Sequence, residues 1–183
     1  IEANPVAGIL AARMDEKLPT PFTVSAAEAI LRTAEKWAPV LVPTLAVQFF
    51  AGLRPGEALG LEWATVDFKG KTIRVMPETS KVRRTRIIEM NKTLAEWLAP
   101  YRKPSGPIGI RTPSQFNYYV FRKPIGPAYE QENVPIAERK PDTRPRGLAA
   151  AAGVKWIPDG SRKTFATMHF ATHGDAGKTA GIL

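Results

Sequence analysis

Residues 52–63 read GLRPGEALGLEW, and the reading of the whole chain turns on them. Upstream, PVLVPTLAVQFFA (39–51) is apolar on every side, as a fully buried helix would be. Gly52 suits its end, because glycine enters the left-handed conformation that other residues avoid. Downstream, Pro55 fits the first position of a new helix, predicted to run to about Trp63. Glu57 falls in that helix's first turn, near the positive end of its dipole. Arg54 is thus held in an elbow, its backbone fixed from both sides. A guanidinium so placed can present a planar fork to a phosphate while Glu57 braces it. Taken alone, the simpler reading is a surface cation pairing with a nearby acid.

Working outward, FTVSAAEAILRTAEKWA (22–38) predicts a helix. Ser25 and Glu28 fit a capping box, and Ala29, Ile30, Ala34 and Trp37 lie near one face. Beyond Trp63 the period changes to two. TVDFKGKTIRVM (65–76) alternates about a Lys-Gly turn and RRTRIIEM (83–90) alternates again, which predicts three short antiparallel strands with their cations on turns and outer faces. NKTLAEWLAPY (91–101) reads as a helix capped by Asn91. Ten of the 17 prolines lie between Pro100 and Pro158, so this region is loop-rich, with one helix around SQFNYYVFR (114–122). RGLAAAAGV (146–154) predicts a short helix ended by Gly153. DGSRKTFATMHFATHG (159–174) predicts a longer one stopped by Gly174, and DAGKTAGIL (175–183) begins another. The elements add up to an α+β fold, mainly helical, with a small three-stranded antiparallel sheet.

The chain has 183 residues, of which 44% are hydrophobic, enough for one domain with a packed core. It has no Cys, which excludes disulfide frameworks and thiolate metal sites. No apolar run approaches the roughly 20 residues that span a bilayer. The opening IEANPVAG has no Met, no basic n-region and no apolar h-region, so it shows no visible signal peptide and is expected to be a fragment. The formal net charge is +9 and the pI about 10.0, a balance that favours polyanions. From Lys69 to Arg86 seven cations (Lys69, Lys71, Arg74, Lys81, Arg83, Arg84, Arg86) stand against one acid, Glu78. A solvated basic face is the plain alternative.

Two further constellations carry chemistry. In ETSKVRRTRIIEM (78–90), Lys81 sits at a hairpin turn, from which its ammonium can swing into a groove. Lysine suits a general acid because its proton is transferable, unlike that of arginine. The alternative is one more cation attracting a backbone without specificity. In DGSRKTFATMHF (159–170), Arg162 lies near a helix start with Lys163 beside it, while Phe165, Ala166 and Met168 read as core.

In this order, GLRPGEALGLEW, the hairpin lysine of SKVRRTRIIEM and DGSRKTFATMH resemble the catalytic domain of the tyrosine recombinase, or phage integrase, family. The resemblance runs from about Thr23 to Leu183 and is weakest in the Pro-rich 104–146, a possible insertion. Residues 1–22 resemble the linker from a preceding core-binding domain, and 23–183 the catalytic domain. The resemblance implies that Arg54 and Arg162 are the two catalytic arginines, Lys81 the hairpin lysine, and Glu57 the acid that braces Arg54. It implies attack of a tyrosine hydroxyl on a DNA phosphodiester, giving a 3′-phosphotyrosine and a free 5′-hydroxyl, without metal, nucleotide or other cofactor. The residue types suit that reaction. Two fixed guanidiniums stabilise the charge growing on nonbridging oxygens, each supplying roughly 3 kcal/mol. The basic hairpin is expected to track the DNA backbone, with Lys69, Lys71, Arg83, Arg84, Arg86 and Lys163 as DNA-binding residues.

Two positions depart from the family pattern. Asp159 stands where a His usually precedes the second arginine, and a carboxylate cannot imitate an imidazolium beside phosphate. It is expected to pair with Arg162 or Lys163, or to accept the nucleophile's proton. Lys163 stands where a second His is common. The nucleophilic Tyr is expected after a Gly-His pair beyond Leu183. All four tyrosines (Tyr101, Tyr118, Tyr119, Tyr129) precede Arg162, so this chain is expected to be C-terminally truncated and not to cleave DNA by itself.

His169 and His173 are four apart on a predicted helix, a spacing that can hold a metal, but no third ligand is evident and no metal is expected. QFNYYVF (115–121) reads as core rather than as a base-stacking platform, and Trp37, Trp63, Trp97 and Trp156 as core or interface anchors. The expected partner is double-stranded DNA, with no membrane. The expected assembly is a monomer for this chain and a homotetramer on DNA for a full-length protein. The expected location is the cytoplasm, on nucleoid DNA of bacterial or phage origin. A non-catalytic recombinase-like DNA-binding module is the alternative. An RNA-binding protein would leave the ordered Arg, Lys and Arg motifs unexplained.

Overall fold

Thr23 opens the first helix. A computed structural model of the chain describes residues 20–77, 85–127 and 142–183, and in it α1 spans Val24–Trp37. The Thr23 hydroxyl accepts from the Ala26 amide at 3.1 Å, so the cap is Thr23 and not the predicted Ser25, whose hydroxyl bonds Thr23 instead. A 3-10 turn at Pro39–Leu41 leads into α2, Val42–Ala51.

Helix α2 is buried on nearly every side, as its composition dictates, and forms the axis of the domain. Helices α1, α4 (Lys92–Leu98) and α7 (Gly160–His173) all pack on it. Its buried Gln48 accepts a hydrogen bond from Ser161 of α7 at 2.9 Å. Thr164, one turn further along α7, accepts from the Phe22 amide at 2.8 Å. These polar links matter because they fix the first turn of α7, where Arg162 sits, against both the central helix and the start of α1.

Gly52 ends α2 with φ +66°, and its missing Cβ leaves room for the ring of Phe165, against which any side chain would collide. Helix α3, Pro55–Leu59, follows with Pro at its first position. It is shorter than predicted. Gly60 caps it, and Trp63–Thr65 form a separate 3-10 turn.

The sheet is three antiparallel strands in the order β1 (Val66–Asp67), β2 (Thr72–Val75) and β3 (Arg86–Glu89). The β1–β2 turn is tied by the Asp67 carboxylate, which accepts from the amides of Lys69 and Gly70 at 2.9 Å each. Strand side chains alternate between faces. Val66, Ile73, Val75 and Ile88 point into a core shared with Ala46, Leu53, Trp63 and Leu94. A second core cluster joins α1, α2 and α6 (Leu148–Ala151) through Ile30, Leu45, Phe49 and Leu148.

In the Pro-rich region, α5 spans Pro113–Asn117 and continues as a π turn over Tyr118–Arg122. QFNYYVF is only partly core: Val120 is buried, while Tyr118 and Phe121 are exposed. Helix α7 ends at Gly174 with φ +65°, and α8 spans Ala176–Ile182. Met168 and Phe170 of α7 are exposed and Phe165 is half-buried, so the expectation that Phe165 and Met168 are core is corrected. They border a groove of about 530 Å³ together with Leu31, Phe50 and Trp97.

Candidate active site

Arg54 occupies the residue before α3 in an extended conformation, with φ −65° and ψ 150°. Its own amide is one of the donors that a helix start leaves unpaired, and the Glu57 carboxylate accepts it at 2.9 Å. The same carboxylate accepts from the Arg54 guanidinium at 3.3 Å. Glu57 is only 1% exposed, whereas Arg54 keeps about a third of its side chain in solvent. The brace is therefore internal and the fork reaches outward.

One cation does not balance the geometry of a buried carboxylate with two oxygens. The second partner is Arg86, whose Nη2 donates to Glu57 Oε2 at 2.9 Å. This corrects the placement on the outer face of the strand expected for Arg86. Its side chain is only 16% exposed and lies on the inner face of β3. Ile87 and Ile88 are adjacent in sequence, so apolarity alone leaves open which of them faces the core. The structure buries Ile88 and exposes Ile87 to 66%, which by strand parity turns Arg86 inward. The signal was present in Met90, buried four residues on and of the same parity.

Arg162 comes from the first turn of α7. Its Nη1 donates to the Gly52 carbonyl at 2.6 Å and its Nη2 to the Leu183 carbonyl. Arg86 Nη1 donates to that same Leu183 oxygen at 3.0 Å. Burial lowers the Arg162 guanidinium below its usual pKa. Arg54 and Arg86 push it the same way, while Glu57 and Asp159 oppose them. Three guanidiniums thus gather about one buried carboxylate, an excess of two positive charges in a partly desolvated corner. Such a corner attracts anions and holds its donors in place before one arrives.

Asp159 precedes α7 in the left-handed region, with φ 53°, and its side chain does not cap the helix. Among the described residues it forms no ion pair within 4 Å, so the expected pairing with Arg162 or Lys163 is corrected. Arg162 is engaged with carbonyls, and Lys163 donates to the Pro158 carbonyl at 3.3 Å. Lys69 and Lys71 are exposed on the β1–β2 turn. Lys81, Arg83 and Arg84 lie outside the described residues, as do residues 1–19 of the expected linker and 128–141 of the Pro-rich segment.

His169 and His173 have ring centroids 4.3 Å apart, and His169 Nδ1 lies 2.8 Å from the Thr179 hydroxyl of α8. Among the described residues no group of three His, Asp or Glu side chains could hold a metal ion. Nor does any described tyrosine hydrogen-bond to Arg54, Glu57, Arg86 or Arg162. Among the described residues, no helix is long and apolar enough to cross a membrane.

Comparison with known proteins sets this corner in context. The XerA recombinase structure superposes with a TM-score of 0.63 at 18% identity, covering 95% of this chain and 57% of that one. The Tn1549 transposon integrase, in complex with circular intermediate DNA, gives 0.53 at 18% identity, covering 92% and 58%. The XerH site-specific recombinase, bound to its difH substrate, gives 0.54 at 18% identity, covering 92% and 48%. The chain therefore spans roughly half the length of each of these structures. No curated protein matches the sequence significantly. The phage integrase family matches residues 22–176, most of the chain and every described residue of the arginine corner except Leu183. With that match and the shared α+β architecture, the chain belongs to the phage integrase family.

Proposed function

We propose that this chain is the catalytic domain of a site-specific DNA recombinase, which cuts and rejoins strands through a 3′-phosphotyrosine. The observation that carries the reading is the corner itself. Arg54 and Arg162, far apart in sequence, are brought to one place and locked there by Glu57 and by the Gly52 carbonyl. Family membership supports the chemistry, and the neighbours solved with DNA support duplex DNA as substrate.

In this mechanism the two guanidiniums hold the nonbridging oxygens of the scissile phosphate and stabilise the charge that builds there. Lys81 delivers a proton to the departing 5′-oxygen, sparing the reaction an alkoxide leaving group. The tyrosine hydroxyl forms the new P–O bond as the bond to that 5′-oxygen breaks. A 5′-hydroxyl later attacks the phosphotyrosine and releases the tyrosine. No Tyr follows Arg162 in the 183 residues, so this chain alone is proposed to bind duplex DNA without forming the adduct. It does so as a monomer, and the full-length protein assembles on DNA as a tetramer. The role of Asp159 as acceptor of the nucleophile's proton belongs to the same proposal.

The test is covalent trapping on a nicked duplex. The 183-residue chain should give no adduct, and the full-length protein should give one. Arg54→Ala or Arg162→Ala in the full-length protein should slow adduct formation by about 10²–10³-fold while leaving DNA affinity within a few fold. Adduct formation unaffected by either substitution would remove the assignment of this corner.

A further inference from the structure

Helix α7 carries Arg162 but buries no large apolar side chain of its own: its buried residues are Gly160, Ser161 and Thr164. Apolar packing has no direction, and without a large side chain to interlock it leaves a helix free to turn a little about its axis. What fixes α7 is polar. Thr164 accepts from the Phe22 amide and donates to the Gly160 carbonyl, each at 2.8 Å. One such anchor still permits a pivot. Ser161 supplies the second, donating to Gln48 Oε1 at 2.9 Å, and Arg162 is the next residue. Gln48 stands one turn before Gly52, so neighbouring residues of α7 meet neighbouring turns of α2. Ser161 meets Gln48, and Arg162 donates to the Gly52 carbonyl at 2.6 Å.

Gln48 is an unusual residue for its place. Helix α2 is apolar but for Thr44 and Gln48, and Gln48 is only 1% exposed. Its Nε2 has no hydrogen-bond partner among the described residues. A buried amide with one of its two polar groups unpaired is destabilising, and an apolar pair of the same size would carry no such penalty. The pair is therefore a poor device for stability and a good one for direction. We infer, on the recombinase reading above, that Gln48 and Ser161 are positioning residues for strand cleavage. Their buried hydrogen bond sets the rotation of α7 on α2 and so aims Arg162 at the scissile phosphate. Both side chains are buried away from the surface that meets DNA, and both act through Arg162.

The test uses the full-length protein on a nicked duplex, with single-turnover cleavage at saturating DNA, dissociation constants and thermal melts. Gln48→Met together with Ser161→Ala removes both partners at nearly conserved volume, a change that is close to neutral for stability or raises it. This double variant should melt within a few degrees of the unaltered protein or above it and keep its Kd within a few fold. It should cleave about ten- to a hundredfold more slowly, the cost of a misplacement of up to about one ångström. Ser161→Ala alone leaves the Gln48 carbonyl unpaired as well, and should both melt lower and cleave slowly. The slowing must pass through Arg162, so in an Arg162→Ala background the double change should slow cleavage by less than about twofold. A double variant that cleaves at the full rate would overturn the inference. So would one that melts far below the unaltered protein, because the pair would then hold the fold rather than the aim. An equal slowing in the Arg162→Ala background would place the effect elsewhere and overturn it as well. If Arg162→Ala slows cleavage as proposed and the double variant does not, only this inference falls. If the unaltered full-length protein forms no phosphotyrosine, the proposed function falls and takes this inference with it.

Discussion

Glu57 is a carboxylate almost wholly removed from water, and it survives there because three donors reach it: one amide and two guanidiniums. Burying an ion pair gives little net stability, but breaking one leaves an uncompensated charge, which is expensive. Glu57→Ala should therefore cost about 3–5 kcal/mol, read as a lower urea midpoint at unchanged slope. A loss below about 0.5 kcal/mol, the range of ordinary surface changes, would mean that Arg54 and Arg86 find other partners. Gly52 is the second residue whose identity is dictated by place. Its left-handed backbone ends α2, its bare Cα admits Phe165, and its carbonyl holds Arg162. Arg54 and Glu57 were legible because their relation is local, three residues apart across a helix start. Arg86 was legible as a cation but not as a member of the corner. Two neighbouring isoleucines hide the parity of β3, and only the packing of Ile88 decides it.

At the scale of elements, α7 does two jobs at its two ends. Its first turn is pinned by Ser161 and Thr164 and carries Arg162. Its last turns carry His169, which reaches the Thr179 hydroxyl of α8. Burial lowers the His169 imidazole below its usual pKa, His173 and Lys178 add to the effect, and Asp175 opposes it. The folded chain therefore takes up this proton less readily than the unfolded chain, whose His titrates near about 6.5. The stability tied to neutral His169 is complete above about pH 6.5 and is lost as pH falls from there through the lower folded value. Thermal melts taken from about pH 7.5 down to about pH 5 should show this decline, and His169→Gln should flatten it. An equal decline in His169→Gln would assign the effect to other groups. The helices themselves were legible because Gly52, Gly174 and Asn91 punctuate them. The outer face of α7 was not, because Phe165 and Met168 look like core until α1 and α4 are seen to leave a groove beside them.

For the whole molecule, a net charge of +9 should make the proposed DNA binding strongly dependent on salt. Lys69 and Lys71 sit exposed on a turn that Asp67 holds in shape. Replacing both with Ala should weaken DNA binding across all sequences alike and reduce the salt slope by about 1.8, near 0.9 for each lost phosphate contact. A slope that does not move would place the DNA elsewhere on the surface. The architecture followed from the sequence because an all-apolar helix, a change to period two and a capped helix must share one core. What joins the distant arginines did not follow. It depends on a backbone carbonyl, that of Gly52, which carries no mark in the sequence.

Among the described residues, the charged groups of the corner proposed to hold the phosphate are guanidiniums and one sequestered carboxylate. Guanidiniums do not give up their proton in folded proteins, so acidity is a poor handle on this grip. Competing oxyanions are a better one. Sulfate or inorganic phosphate in a buffer presents the same tetrahedral oxygens as the DNA backbone. If the corner grips the scissile phosphate as proposed, the rate of strand cleavage by the full-length protein should then depend on which salt is present, and not on ionic strength alone.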